Sequence, residues 1–266
     1  MKKVLLIIVL MSGVVSGFGQ NSGEFPVPIS DPAKRGKLKV DIHYGSVFIK
    51  GSPRKDVLVR YTELDDRSGK KTTEKDGLKR ISGGSLDLEV SEKDNYVVVE
   101  SSSWTNRMKV EVEVPVGFDV KASSYNDGDI FVENIQGEVE ITSYNGEIEA
   151  HKISGSVVAS TYNGEIKVTF DKVTEGVPMS YSTYNGDIDI TYPANLKATF
   201  KMKTGQGEIL SGFDMTLIKT GPIQKKDSGS GTYKVTVDEW VKGEVNGGGA
   251  EISMRNYNGD VIIRKK

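Results

Sequence analysis

The sequence predicts an all-β chain wound as a single-chain parallel β-solenoid, a β-helix-like stack whose layers hold about 18 residues in two nine-residue units. Three observations carry this. Gly128, Gly137, Gly146, Gly155 and Gly164 recur at a nine-residue step. Counting from each glycine, the third position is apolar (Ile130, Val139, Ile148, Val157, Ile166), and so is the fifth (Val132, Ile141, Ala150, Ala159, Val168). Such alternation marks a strand with one buried face. Every second unit ends in Tyr-Asn before the next glycine, as at Tyr144-Asn145-Gly146 and Tyr162-Asn163-Gly164, with later copies at Tyr184-Asn185-Gly186 and Tyr257-Asn258-Gly259. An isolated Asn-Gly signals a hairpin, but corners that match at an 18-residue interval fit copies stacked one above another, which makes the sheet parallel.

In chain order, residues 1–19 form a secretory signal peptide: Lys2 and Lys3 precede the apolar run Val4 to Leu10, and Gly17-Phe18-Gly19 is a small-x-small cleavage signal. Ser12, Gly13, Ser16 and Gly17 break that segment too early for a membrane anchor. Residues 20–35, with Pro26, Pro28 and Pro32, are expected to be an extended leader. Residues 36–266 form the solenoid domain, with irregular strands over 36–123 and the Tyr-Asn-Gly section over 124–266. Within the first part, Leu38-Val40-Ile42, Val47-Ile49, Val57-Val59, Leu86-Leu88-Val90, Val97-Val99 and Met108-Val110-Val112-Val114 alternate as strands. The charged stretch Thr62 to Arg80 reads as an exposed loop or distorted hairpin. Beyond Phe170 the step lengthens, with markers at Gly176, Gly186 and Gly207, and Ser211 to Thr232 interrupts the pattern before it recovers. The last strand, Asp260 to Arg264, is expected at an open sheet edge, where Lys265 and Lys266 discourage further stacking.

The corner residues are Asn126, Asn145, Gly146, Asn163, Gly164, Asn185, Gly186, Asn258 and Gly259. Asn-Gly supplies the left-handed backbone of a tight corner, and stacked asparagines bond along the coil while Tyr125, Tyr144, Tyr162, Tyr184 and Tyr257 layer ring on ring. Strict alternation sends the tyrosines outward. Their equivalence to Ile135 and Ile153 points the other way, toward at least half burial.

The stretch Val114-Pro115-Val116-Gly117 leading into Ser124-Tyr125-Asn126-Asp127-Gly128-Asp129-Ile130, the repeated Asn-Gly-Glu-Ile corners, and Asn246-Gly247-Gly248-Gly249-Ala250-Glu251-Ile252 followed by Asn258-Gly259-Asp260 resemble the bacterial putative adhesin family, over roughly residues 36–266. The resemblance implies an envelope-exported parallel β-solenoid of a kind common in Bacteroidetes-like bacteria, with no catalytic motif to carry over.

The residues themselves offer little chemistry. The chain has no cysteine, so disulfides, a lipid-bearing amino-terminal Cys and thiol catalysis are excluded. Loss of Lys2 and Lys3 with the leader leaves 33 of 35 basic residues against 37 acids, a balance that argues against nucleic acid as partner. The sixth position of the nine-residue unit holds Glu133, Thr142, His151 and Ser160 in place of the aspartates of a calcium-binding β-roll, so no metal or other cofactor is expected. Asp129, Glu138, Glu147, Glu165, Asp187 and Asp260 read as a solvated stripe, with Asp127 and Asp129 as a minor divalent-cation alternative. His43 and His151 are too few for a ligand set or a catalytic pair, and Trp104 and Trp240 stand outside the regular units, as sugar platforms or packing residues.

The expectation is a non-enzyme with no catalytic residue. It is a periplasmic, outer-membrane-surface or extracellular adhesin or envelope scaffold that contacts glycan or protein through the five tyrosines, with no integral membrane segment once the leader is cleaved. A periplasmic signalling or envelope-stress partner and a polysaccharide-active β-helix enzyme are the alternatives.

Overall fold

A computed structural model describes residues 22–64, 87–218, 223–226, 233–236 and 240–266. Residues 1–21, which include the signal peptide, residues 65–80 of the charged stretch and Leu86 lie outside the described residues. Among those described, the chain is all-β, without a helix, and 19 strands join in one sheet beside a two-stranded hairpin.

The sheet folds into two faces that share its longest strands. The first face runs, in spatial order, through β1 (Ser22–Pro28), β3 (Asp56–Glu63), β6 (Met108–Pro115), the second half of β2 (Lys37–Ser52), β8 (Ile130–Glu133) and the first half of β10 (Ile148–Ser160). It continues through β11 (Ile166–Val173), β13 (Ile188–Tyr192), β21 (Val261–Lys265) and β15 (Ile209–Ser211). The second face runs through β4 (Glu89–Lys93), β5 (Tyr96–Ser101), the first half of β2, β7 (Asp119–Asn126), β9 (Glu138–Ser143) and the second half of β10. It ends with β12 (Met179–Ser182), β20 (Glu251–Arg255), β14 (Ala198–Lys203), β19 (Val241–Val245) and β16 (Thr216–Ile218). β17 (Ile223–Lys226) and β18 (Tyr233–Thr236) make the separate hairpin.

Inner neighbours pair parallel; at the margins β1, β3, β4, β16 and β19 pair antiparallel, whereas β15 pairs parallel with β21. Ile130 pairs with Ile148 and Ile148 with Ile166, each 18 positions on, so like side chains stack. Ile166 then pairs with Ile188, 22 positions on, because the chain runs out through Thr174 to Pro178 before it returns. Between the faces, Val, Ile and Ala form a continuous buried column. Where the layers lengthen, Phe170, Tyr181, Tyr192 and Phe200 fill the wider interior, and the Phe170 and Tyr192 rings stack with centroids 5.1 Å apart. The Tyr192 hydroxyl donates to that of Tyr181 across 3.4 Å, and burial holds both phenol pKa values above the ordinary one.

The close spacing of layers dictates the glycine step. A Cβ on Gly186 would lie 2.2 Å from the Gly164 carbonyl oxygen, and φ at Gly186 is +135°. The asparagines of these corners do not take the left-handed backbone that Asn-Gly suggests. At these corners positive φ falls on glycines (Gly186, Gly259 at 128°) and on Asp127, while at the opposite corner it falls on Asn134 (58°) and Lys152 (54°).

The leader segment contributes strand β1, which pairs with β3. The largest departure from expectation concerns the last strand, which is no edge. β21 lies between β13 and β15, and β20 lies between β12 and β14. At the other end β2 is likewise inserted, between β5 and β7 on one face and β6 and β8 on the other. The chain thus places an end-proximal layer inside the stack at both extremities.

Candidate functional site

The Tyr-Asn-Gly corner is built from three parallel ladders. Innermost are hydroxyls. Ser124 donates to the Gly45 carbonyl, Ser143 to Gly128, Thr161 to Gly146, Thr183 to Gly164 and Thr204 to Gly259, over 2.8–3.2 Å, and Asn256 takes the same role toward Gly186 through its amide. Each bond satisfies a carbonyl of the adjoining layer that the bend would otherwise leave unpaired. The sequence carried a signal for this ladder that periodicity alone did not single out: a Ser, Thr or Asn stands immediately before every tyrosine of the series.

Next come the asparagines. Asn163 donates from Nδ2 to Asn145 Oδ1 (2.8 Å), Asn185 to Asn163 (2.7 Å) and Asn258 to Asn185 (2.7 Å). Backbone bridges follow the same order and extend from Asn258 to Gln206. Asn126 stands apart. The corner after Tyr125 has one extra residue, Asp127 at φ 46°, and Asn126 pairs in register with Tyr44.

Outermost are the tyrosines. Tyr125, Tyr144, Tyr162, Tyr184 and Tyr257 are 41–46 % exposed, which settles their orientation: the edges meet solvent while the faces cover one another. Successive centroids lie 4.9, 5.2, 4.9 and 4.9 Å apart with interplanar angles of 3–11°. This spacing follows the distance between strands. Trp104, 53 % exposed, closes one end, edge-on to Tyr125 at 5.1 Å and against His43 at 4.5 Å. At the other end Gly205 occupies the tyrosine position, and a Cβ there would strike the Tyr257 ring at 2.8 Å.

Two clefts flank this stripe on the outer side of the second face. The one of about 410 Å³ near Trp104 is lined by Asp41, His43, Ser123, Tyr125, Thr142 and Tyr144. The other, about 570 Å³, is lined by Tyr162, Ser182, Tyr184, Lys203, Arg255 and Tyr257. Trp240 is not one of the stacked rings; Lys201 Nζ lies 4.7 Å from its ring centre.

The acids on the far side of the corner do more than meet solvent. Asp129 Oδ1 accepts from the Glu147 amide (3.0 Å), Asp187 from the Asp260 amide (2.8 Å) and Asp260 from the Glu208 amide (2.8 Å), which ties three pairs of adjoining layers together. Glu165, among like charges in the same line, has its pKa raised by desolvation and by Asp187, Asp189 and Glu147, with Lys167 opposing. Asp189 is held by the Arg264 guanidinium through contacts of 2.7, 3.0 and 2.8 Å.

Among solved structures, the chain is similar to a putative cell adhesion protein from Clostridium sporogenes (TM-score 0.46, 11 % identity, 93 % of this chain and 100 % of that one). It is similar also to putative adhesins from Bacteroides fragilis (0.34, 11 %, 96 % and 100 %) and Parabacteroides merdae (0.27, 12 %, 92 % and 96 %). No curated protein matches the chain. Residues 118–246, which hold four of the five stacked tyrosines, match the family model described as Toastrack DUF4097.

Proposed function

We propose that the chain is an exported, non-enzymatic parallel β-solenoid, an adhesive or scaffolding module of the cell envelope that binds glycan or protein along its tyrosine face. In this reading residues 36–266 are the solenoid, with layers of about 18 residues where the step is regular and longer beyond Phe170, and residues 1–19 are the export signal. The observation that carries it is the continuous half-exposed stack from Tyr125 to Tyr257. Rings already fixed by their neighbours lose little freedom when a ligand settles on their edges, and each brings a hydroxyl to the contact. The acids nearest the corner are engaged in backbone caps and ion pairs, an arrangement that favours a scaffold over a catalytic pair.

The test has two parts. Tyr144, Tyr162 and Tyr184 are replaced together by alanine, and binding to arrayed glycans and matrix proteins is compared with that of the parent. Loss of binding with the fold retained by circular dichroism is expected, whereas undiminished binding would remove the stripe from the proposal. Protease treatment of intact cells beside a periplasmic control then separates a surface adhesin, cut with the control intact, from a periplasmic scaffold, cut only after the outer membrane is opened.

A further inference from the structure

One outward-facing ladder beside the tyrosine stripe changes character along its length. In spatial order it reads Glu100, Asp41, Ser123, Thr142, Ser160, Ser182, Arg255 and Lys203, each the lateral partner of the next. The acidic end is partly compensated: Lys39 Nζ lies 2.6 Å from Glu100 and 3.4 Å from Asp41, and Ser123 donates to Asp41 at 2.8 Å. The basic end is not. Arg255 and Lys203 sit on adjacent strands, line the 570 Å³ cleft with Tyr162, Tyr184 and Tyr257, and have no side-chain hydrogen bond or ion pair among the described residues. Two neighbouring like charges without a counter-charge repel each other at some cost to the fold, and an anion between them relieves that cost.

We infer that this cleft takes an anionic glycan of extended form, a uronate-bearing oligosaccharide lying along the stripe with a carboxylate between Arg255 and Lys203. The inference rests on the proposed adhesive reading of the tyrosine face and specifies its ligand. The geometry fits such a chain in three ways. One sugar residue of an extended glycan is about as long as one layer is tall, roughly 5 Å, so successive sugars meet an equivalent set of groups at each layer. Those groups are a tyrosine edge on one side and a hydroxyl (Thr142, Ser160, Ser182) on the other, which suit a ligand rich in hydroxyls. At the end, the guanidinium offers a carboxylate two parallel donors and the ammonium adds a point charge. The contrast between the acidic end, with two carboxylates on one lysine, and the cationic end at Arg255 and Lys203 gives the bound chain a direction.

The purified protein is titrated calorimetrically with tetragalacturonate, with its carboxyl-reduced neutral counterpart and with tetraglutamate, at low and at physiological salt. The acidic sugar is expected to bind at least tenfold more tightly than the neutral one, with affinity falling as salt rises. Arg255→Gln combined with Lys203→Gln should remove that preference while the melting temperature stays at or above that of the parent. Equal binding of acidic and neutral sugar, unmoved by the double variant, would overturn the anionic assignment and leave the tyrosine face standing as a binder. Binding of tetraglutamate in the place of the sugar would assign the cleft to an acidic protein segment and also overturn it. No binding of either sugar would overturn it too, and the triple tyrosine variant, tested on proteins and glycans of other classes, then decides separately whether the face binds anything.

Discussion

Tyr162 has a ring against each of its faces and water at its edge, so its removal costs more than a surface change and less than a core cavity. Loss of two stacked contacts predicts a destabilisation of about 2 kcal/mol for Tyr162→Ala, against about 1 kcal/mol for Tyr257→Ala, which has a ring on one side only; urea unfolding of the two variants checks this. The asparagine beside it is more exacting. Asn163 both donates to Asn145 and accepts from Asn185, so Asn163→Asp keeps the acceptor but sets a carboxylate oxygen against Asn145 Oδ1. A loss of about 2 kcal/mol is expected, whereas Gln206→Glu at the end of the series should lie within about 0.5 kcal/mol of the parent. A stacked line of like carboxylates behaves in the opposite sense. Because the folded-state pKa of Glu165 is raised, the fold favours its protonated form; the stability it contributes grows as pH falls through the raised value toward the ordinary 4.5 and is flat below that. Glu165→Gln is therefore expected to stabilise the protein by about 0.5 kcal/mol at pH 7, and the advantage should vanish below about pH 4.5 in melting curves taken across that range.

At the scale of strands, the position of β21 has the sharpest consequence. It supplies the pairing partner for both β13 and β15, as β20 does for β12 and β14, so a chain truncated after Gly249 loses the contact between two layers and not a free edge. Residues 196–245 are then expected to detach from the stack, seen as a lower melting temperature and proteolytic cleavage within that segment. The sequence made the regular strands readable, because Ile130, Ile148 and Ile166 face the core at constant spacing and each is followed by the same alternation. It also made the tyrosine and asparagine ladders readable, since corner residues in register must stack. Two things were hidden for physical reasons. Which layer lies beside which is decided by pairing between residues far apart in the chain, as with Ile188 and Val261, and local periodicity carries no trace of that choice. The cleft at Arg255 and Lys203 was hidden with it, because those side chains become neighbours only once β20 is inserted beside β14.

Across the whole molecule, the inserted layers alter how the stack should come apart. A plain repeat array unzips from its ends, because each unit touches only its neighbours in sequence. Here the layers next to both extremities are made of chain that belongs, in sequence, to another part of the protein: β2 bridges β6 and β8, and β20 bridges β12 and β14. Fraying one end therefore breaks long-range pairings at once. A single cooperative unfolding transition is expected, with amide protons of Ile188 and Val261 exchanging as slowly as those of Ile148 and Ile166, and hydrogen exchange followed by residue would test it. Forming such pairings late also implies slow folding for a chain of this size.

The asparagine ladder also bears on how the protein ages. An asparagine followed by glycine is a weak point in a polypeptide, since the glycine amide nitrogen can close on the side-chain carbonyl, expel ammonia and leave a succinimide that hydrolyses to aspartate or isoaspartate. In the folded corner the would-be nucleophile is occupied. Gly146 N–H donates to the Asn163 carbonyl (2.9 Å), Gly164 to Asn185 (2.8 Å) and Gly186 to Asn258 (2.9 Å), while the amide side chains are fixed by one another. The last place in the series, where the ladder has no further amide above it, holds Gln206, whose longer side chain closes such a ring far more slowly. Peptide mapping after storage at alkaline pH should find Asn145, Asn163 and Asn185 intact in the native protein and deamidated in the urea-unfolded chain, so that the charge these corners acquire records time spent unfolded.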